Sequence, residues 1–500
     1  MKSFTGALLA SAFAAVAIAS PTSKSIRDLP LVQSNQLRRV LTRSALLGHA
    51  ETLESFAHAD PQNNRGFGGV GHNLTVDYLF KTLSAIDYYD VWLQKFELLY
   101  AAGDAKVESE GVSFTSLYFT YAPNSNGPIT AELVPVANLG CELSDYPVNL
   151  AGKIALISRG SCDFGLKTAF AGASGAVGAI IYNNIAGSVS GGTLSSPERP
   201  QGPYVPVASI SHADGLTLLA DIAAGPVAAT LTVFSVMETR TTHNVFAQTK
   251  SGDQNNVVVA GGHTDSVGAG PGINDDGSGS MGLYEIALQL PKWSVTNAVR
   301  FAFWSAEEFG LVGSETYVNS LTAEEQNKIA LYLNFDMIAS PNFGYFIYDG
   351  DGDAFGIAGP PGSAQIEKLF EDYFAEVGLA SAPTAFSGRS DYGPFLQVGI
   401  PSGGLFTGAE GIKTEAEAAL FGGTAGQAYD PGYHQATDNI KNLNVGAWIQ
   451  NLKAAAHSIA TYAISTKDIP KRVSLRKLTT TAKHTEHNHG SSCGEVISTF

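Results

Sequence analysis

The chain has 500 residues, more than one ordinary hydrophobic core accommodates, so two or more folded units are expected. Hydrophobic residues make up 44% and charged residues 15%, which excludes an intrinsically disordered protein. The net charge of −16 argues against nucleic acid and anionic membrane surfaces as partners, because both repel an acidic protein.

In chain order, residues 1–19 read as a secretory signal. Lys2 gives a basic start, the apolar run after it is too short to span a bilayer, and Ala17-Ile18-Ala19 offers a small-residue cleavage site before Ser20. No later segment holds about 18 uninterrupted apolar residues, so no membrane helix is expected. Secretion is the localisation these features favour, with a vacuole as the alternative. Residues 20–35 are polar and proline-bearing and read as a leader or propeptide, a candidate inhibitor of its own chain. Asn73-Leu74-Thr75 is a glycosylation sequon, in keeping with export.

From Leu37 to about Ile86 apolar residues recur at helical spacing, and "YDVWLQKFEL" follows as a strand. Near Ala122 the texture changes. "APNSNGPITAELVPV" breaks the chain, and short strands run through "KIALISRG" and "GAIIYNN", interrupted by one helix at "GLKTAFAGASGA". Residues 122–237 therefore read as a β-rich insertion between two parts of another domain, residues 36–121 and 238–465. Cys141 and Cys162 lie close in sequence within it and could form a bridge in an oxidising compartment. Between residues 238 and 465 apolar strands alternate with helical runs, which predicts an α/β fold with a mostly parallel sheet covered by helices. Residues 466–500 are basic, then Thr/His-rich, and read as a tail. His484, His487 and His489 in it suit a solvated segment better than a metal grip, and Cys493 is left over.

Ligands of open α/β sheets collect at the carboxyl ends of strands. Four predicted strand ends carry acids or histidine: "VVVAGGHTDSVGAGPGINDDGSG", "FAFWSAEEFG", "LYLNFDMI" and the loop "YDPGYHQATDN". Singly, each has an ordinary explanation: a surface His–Asp pair, a helix N-terminus dressed with acids, a satisfied buried carboxylate, a turn. Jointly they supply His263, Asp275, Glu308, Asp336 and His434, the mixed imidazole and carboxylate set that zinc takes. Two ions about 3.5–4 Å apart need a bridging carboxylate and can share a hydroxide. A ligating imidazole wants a carboxylate on its other nitrogen, for which Asp265 or Asp438 is placed. Glu307, beside a ligand, is positioned to take the proton of the bridging water.

These four motifs, in this order, resemble those of the secreted co-catalytic dizinc aminopeptidases, and "GHNLTVDYL" extends the likeness toward the N-terminus. The resemblance implies the zinc-peptidase fold, with His263 and Asp336 on one zinc, Glu308 and His434 on the other, and Asp275 bridging before a cis peptide to Asp276. It implies Glu307 as general base and Tyr433 as a holder of the oxyanion, with Asp265 completing the catalytic set. "NLAGKIALISRGSCDFGLKTAFAGASGAVGAIIYNN" is similar to the protease-associated domain inserted in several such peptidases, which implies the Cys141–Cys162 bridge. In some members a disulfide pins the histidine loop; here Gly432 and Ala436 flank it, so packing is expected to hold the loop instead. Ser387 stands where an acid is often found.

The function expected is a monomeric, zinc-dependent aminopeptidase acting on peptides with a free N-terminus through a metal-bridging hydroxide. Aromatic and aliphatic residues in Ser340–Phe346 and Gly399–Gly408 suggest an apolar pocket and leucine-like specificity. Carboxypeptidases and single-zinc glutaminyl cyclases share the scaffold. The former should show a cation cluster where only Arg389 stands, and the latter would not need five ligands. A non-catalytic peptidase-like binding protein has no use for an intact Glu307.

Overall fold

A computed structural model describes residues 29–189 and 192–471. The signal segment, the start of the leader, and the end of the tail with its three histidines and Cys493 lie outside them. Among the described residues no helix is long and apolar enough to cross a membrane.

The central strands follow from their composition. Asp253–His263, Asn297–Trp304 and Ile329–Phe335 are almost continuously buried, the pattern of strands covered on both faces. They run parallel to one another, and Ile329–Phe335 also runs parallel to Ser402–Phe406. Leu46, Leu53, Leu79 and Leu83 from the N-terminal helices pack on one face with Trp448 and Leu452 of the long helix Val445–Ile464. Trp304, Tyr332 and Phe395 fill the other face. The expected sheet sandwiched by helices is what forms, with an antiparallel component at its margins.

Two long strands, Tyr89–Ser109 and Ala228–Thr249, pair from Tyr89↔Thr249 to Ser109↔Ala229. One end of this ribbon joins the central sheet through residues 245–248, and the other joins strand Ile129–Pro135 of the inserted unit. The ribbon carries the chain across, so Ala105, Val107 and Phe119 belong to the second core although they precede residue 122. That second unit holds four parallel strands, residues 129–135, 154–158, 178–182 and 207–210. It is less purely β than its strand-rich sequence suggested. Besides Phe164–Ala173 it contains a second helix, His212–Ala224, which Ser211 caps by accepting the Asp214 N–H. Its Cys141 and Cys162 are joined.

The last residues of the expected leader belong to the folded domain. Ser294 N–H donates to Pro30 O at 2.8 Å, Val32 N–H donates to Ser294 O at 2.9 Å, and Val32 is buried.

Cys141 and Cys162 are separated by 21 residues. Replacing both with serine should cost the inserted unit about 2–4 kcal/mol. Scanning calorimetry should show its unfolding transition shifted down while that of the main domain stays in place.

Candidate metal centre

The strand ends deliver the side chains to one edge. Gly262 lets the helix beginning at Gly277 come close: a Cβ there would meet Asp276 Oδ2 at 2.5 Å and Phe335 O at 2.7 Å. At the other junctions the backbone turns sharply. Ala306 (φ 59°), Met337 (φ 48°) and His434 (φ 55°) are non-glycine residues in the left-handed region, each at or beside a predicted ligand or base. Such residues cost of order 1–3 kcal/mol each and collect at functional sites.

The five predicted ligands converge. Asp275 Oδ1 lies 3.1 Å from His263 Nε2 and its Oδ2 lies 3.3 Å from His434 Nε2. His263 Nε2 is also 3.7 Å from Asp336 Oδ1, and His434 Nε2 is 3.0 Å from Glu308 Oε2. Asp275 turns one oxygen to each histidine, while the most compact donor groups are His263 with Asp276 and Asp336, and His434 with Asp275 and Glu308. The peptide between Asp275 and Asp276 is cis. Two imidazoles and a surplus of carboxylates suit zinc, and paired groups joined by one carboxylate suit two ions. The electrostatics agree. Burial alone would lower the His263 pKa, yet Glu307, Asp265, Asp275 and Asp336 around it raise it well above its usual range. Burial raises Glu307 well above the usual carboxylate range and raises Glu308 as well, with His263 and His434 respectively opposing the shift.

The three expected catalytic residues line or back the same space. Glu307 Oε2 is 3.8 Å from His263 Nε2. Asp265 Oδ1 accepts the Glu307 N–H at 3.1 Å and lies 3.6 Å from His263 Nδ1, which meets the Asp265 carbonyl oxygen at 3.2 Å, so Asp265 orients the expected ligand and base together. The Tyr433 ring stacks on His434 with centroids 3.8 Å apart, and Arg389 donates to its hydroxyl at 3.0 Å.

Three expectations change. Asp438 does not back a histidine: its two oxygens accept the N–H groups of Asn274 and Asp275 at 2.9 and 3.0 Å, so it fixes the bridging ligand's backbone. Ser340–Phe346 does not line the cleft; the apolar wall comes from Leu311, Met337, Tyr348, Tyr392 and Phe406. The loop of Tyr433 and His434 is held by hydrogen bonds rather than by packing alone. Asp430 accepts from Gly432 N, Asn442 Nδ2 and Asn274 Nδ2 at 2.6–2.7 Å, which takes the place of a disulfide. Ser387 lines the cleft and meets Tyr392 Oη at 3.2 Å.

Two further residues, Ser390 and Asp276, make contacts that the sequence pattern did not reveal. Ser390 Oγ donates to Asp336 Oδ2 at 2.5 Å and accepts from Asn334 Nδ2. Asp276 accepts three backbone N–H groups, from His263 at 3.0 Å, Gly279 at 2.8 Å and Met337 at 3.2 Å. A separate acidic group, Asp349, Asp351, Asp353 and Glu367, lies away from these ligands. Its Asp349 carboxylate and that of Glu367, on the helix Ser363–Glu376, accept N–H groups of residues 350–355.

Comparison with known proteins agrees with the geometry. Residues 244–459 match the model of Peptidase family M28, and residues 129–218 match the PA domain. The chain is 50% identical over 492 residues to "Probable leucine aminopeptidase 2" of Aspergillus fumigatus, covering 97% of each chain. An aminopeptidase from Aneurinibacillus sp. strain AM-1 superposes with a TM-score of 0.63 at 27% identity, over 88% of this chain and 100% of that one. A zinc aminopeptidase from Bacillus subtilis gives a TM-score of 0.62 at 25% identity, over 85% and 98% of the two chains.

Asn in place of Asp276 keeps one acceptor oxygen but turns an N–H toward the His263 amide. D276N should destabilise the main domain by about 1–3 kcal/mol. Urea unfolding followed by tryptophan fluorescence would read this; an unchanged midpoint would mean the three amides do not depend on the carboxylate.

Proposed function

The chain belongs to peptidase family M28 and is an aminopeptidase of that family, and we propose that it is an exported, two-zinc enzyme removing leucine-like residues from peptides. The observation that carries this reading is Asp275, with one oxygen toward each histidine and Glu307 alongside. His263 and Asp336 would hold one ion, Glu308 and His434 the other, with Asp275 common to both. Such ions supply Lewis acidity toward a carbonyl oxygen and make bound water more acidic.

The chain's own residues do the rest. The cleft holds about 220 Å³, below the roughly 300–1,000 Å³ of pockets for drug-sized ligands, so it takes one side chain rather than a length of peptide. Leu311, Met337, Tyr348 and Phe406 make its wall apolar, which favours a leucine-like side chain. The acids Glu307 and Asp336 face the same space and attract a free α-amine. Glu307 takes a proton from the attacking water on its carboxylate and returns it to the leaving nitrogen. Asp265, bonded to the Glu307 amide, keeps that carboxylate on line. Tyr433, lining the cleft, donates its hydroxyl to the substrate oxygen as negative charge develops there. Arg389 is paired in two bonds with Glu410 at 2.8 and 3.2 Å, so its charge is already engaged, which disfavours the carboxypeptidase alternative.

Export is supported by the N-terminal signal pattern and by the disulfide, a bond that persists in oxidising compartments. Asn73 of the sequon is exposed on its helix, where its Nδ2 donates to Gly68 O at 2.9 Å.

Aminoacyl-p-nitroanilides, each with a free or acetylated amine, should be cleaved only when the amine is free, leucine best. Chelation should abolish the activity and zinc should restore it; cleavage of acetylated substrates would overturn the assignment. Glu307→Gln should lower kcat by roughly two to four orders of magnitude with both zinc ions retained. N-terminal sequencing of exported protein should begin at Ser20 or beyond, and retention of Met1 would rule out the signal.

A further inference from the structure

Between His263 and Asp275 the chain makes a buried loop whose carbonyl groups at Thr264, Pro271 and Gly272 turn inward; Gly272 O accepts the Gly277 N–H at 3.1 Å, and the other two meet no strand or helix donor among the described residues. One side chain from a distant part of the sequence meets all three. Arg65, in "NNRGFGG" between two N-terminal helices, is fully buried. Its Nε donates to Pro271 O at 2.8 Å, one terminal nitrogen donates to Gly272 O at 2.5 Å, and the other donates to Thr264 O. Its backbone joins the same loop in both directions: Arg65 N–H donates to Ser266 Oγ at 2.9 Å, and Ser266 N–H donates to Arg65 O at 3.2 Å. Its neighbour Asn64 donates to Gly268 O at 2.9 Å. The loop is so tight around the guanidinium that a Cβ on Gly272 (φ +62°) would lie 3.1 Å from an Arg65 nitrogen and 2.4 Å from Asp275 O.

We propose that Arg65 is a positioning residue for the metal centre: it holds the loop from Thr264 to Gly272 in its ligand-bearing shape before any ion arrives, and so sets how tightly the ions bind. The inference rests on the two-zinc reading and goes beyond it, because Arg65 touches neither substrate nor any ligand carboxylate.

The physical argument has two parts. Without Arg65 the buried Thr264 O and Pro271 O would lose their donor and Gly272 O one of its two, and only a planar fork of N–H groups reaches all three from one side chain. Lysine would bring the charge on a flexible stem, with its donors at a single point. The second part is charge. Asp265, Asp438, Asp276 and Asp275 all act on Arg65, and burial lowers its pKa only to about 10, so it remains a cation at neutral pH. It offsets part of the acid surplus that would otherwise push the loop apart when no ion is bound. A loop already in place spares the ions the cost of ordering it, which is the source of affinity in preorganised sites.

The test uses the full chain. Zinc content and competition with a chelator come first on the wild type: two ions per chain are expected, and none would defeat the two-zinc reading itself. Given two ions in the wild type, R65K should bind zinc about ten- to a hundredfold more weakly and release it faster, the usual effect of altering a group behind the ligands. At saturating zinc its kcat should return to within a few-fold of the wild type with KM little changed, while at limiting zinc its activity should fall away. R65M should show the larger affinity loss. If R65K instead keeps wild-type zinc affinity and release, and loses the same melting temperature with and without metal, Arg65 is an ordinary core residue and the proposal fails. Should neither variant fold, hydrogen exchange on the metal-free wild type decides. Amides of residues 264–272 that stay protected without zinc support the proposal, and rapid exchange confined to that loop overturns it.

Discussion

The carboxylate of Asp276 ties the ends of three pieces of chain to one point, beyond what the sheet ladder holds. It accepts the amide of His263 at the end of one strand, of Gly279 at the start of a helix, and of Met337 just past the end of another strand. A backbone amide buried without a partner costs as much as a lost hydrogen bond, so these three ends come to one point or the fold is penalised. Because His263, Asp275 and Asp336 sit on or next to those ends, their side chains are delivered to one volume. The same need explains the glycines: Gly262 and Gly279 lack the Cβ that would collide with Asp276 or with Phe335 O. The metal centre is thus a consequence of how strand ends meet a helix start, and the ligands decorate that junction.

Around it lies a shell of polar groups with distinct tasks. Asp438 fixes the backbone of Asn274 and Asp275, Asp430 fixes the loop bearing Tyr433 and His434, Ser390 turns Asp336, and Asp265 aligns both His263 and Glu307. Nearly all these groups are buried, where an unpaired charge is expensive. The arrangement is stable because each carboxylate is answered by N–H groups, by imidazole, by the guanidinium of Arg65, or by the cations the cluster is suited to receive. Rigidity of this kind serves catalysis, since a base displaced by an ångström loses much of its effect.

The inserted unit stands apart in its physics. It has its own core and its own parallel strands, and it is joined to the main sheet by the paired strands Tyr89–Ser109 and Ala228–Thr249. Among the residues lining the catalytic cleft none comes from it. Its sequence showed this independence as a change of texture near Ala122, but the ribbon hid the true border. The strand Tyr89–Ser109 is continuous across both cores, so no break in the chain sets Ala105 and Val107 apart from the strand residues before them.

The sequence by itself determined the α/β class and the separate insertion, and it pointed to Cys141 with Cys162 and to the five candidate ligands that the structure brings together. Each of these is written locally: unbroken apolar runs mark strands buried on both faces, and acids or histidines directly after such runs mark the sheet edge where ligands gather. What only the tertiary structure decided are the contacts between residues distant in sequence. Arg65 reaches a loop 206 positions away, Asp430 reaches Asn274 across 156, and Asp438 turned out to hold a backbone and not an imidazole. The pocket wall likewise comes from Leu311, Met337, Tyr348, Tyr392 and Phe406, scattered over separate elements, while the contiguous aromatic run Ser340–Phe346 packs elsewhere. The reason is that a side chain's direction is set by its own backbone, but what it meets is set by which other segments the fold brings opposite.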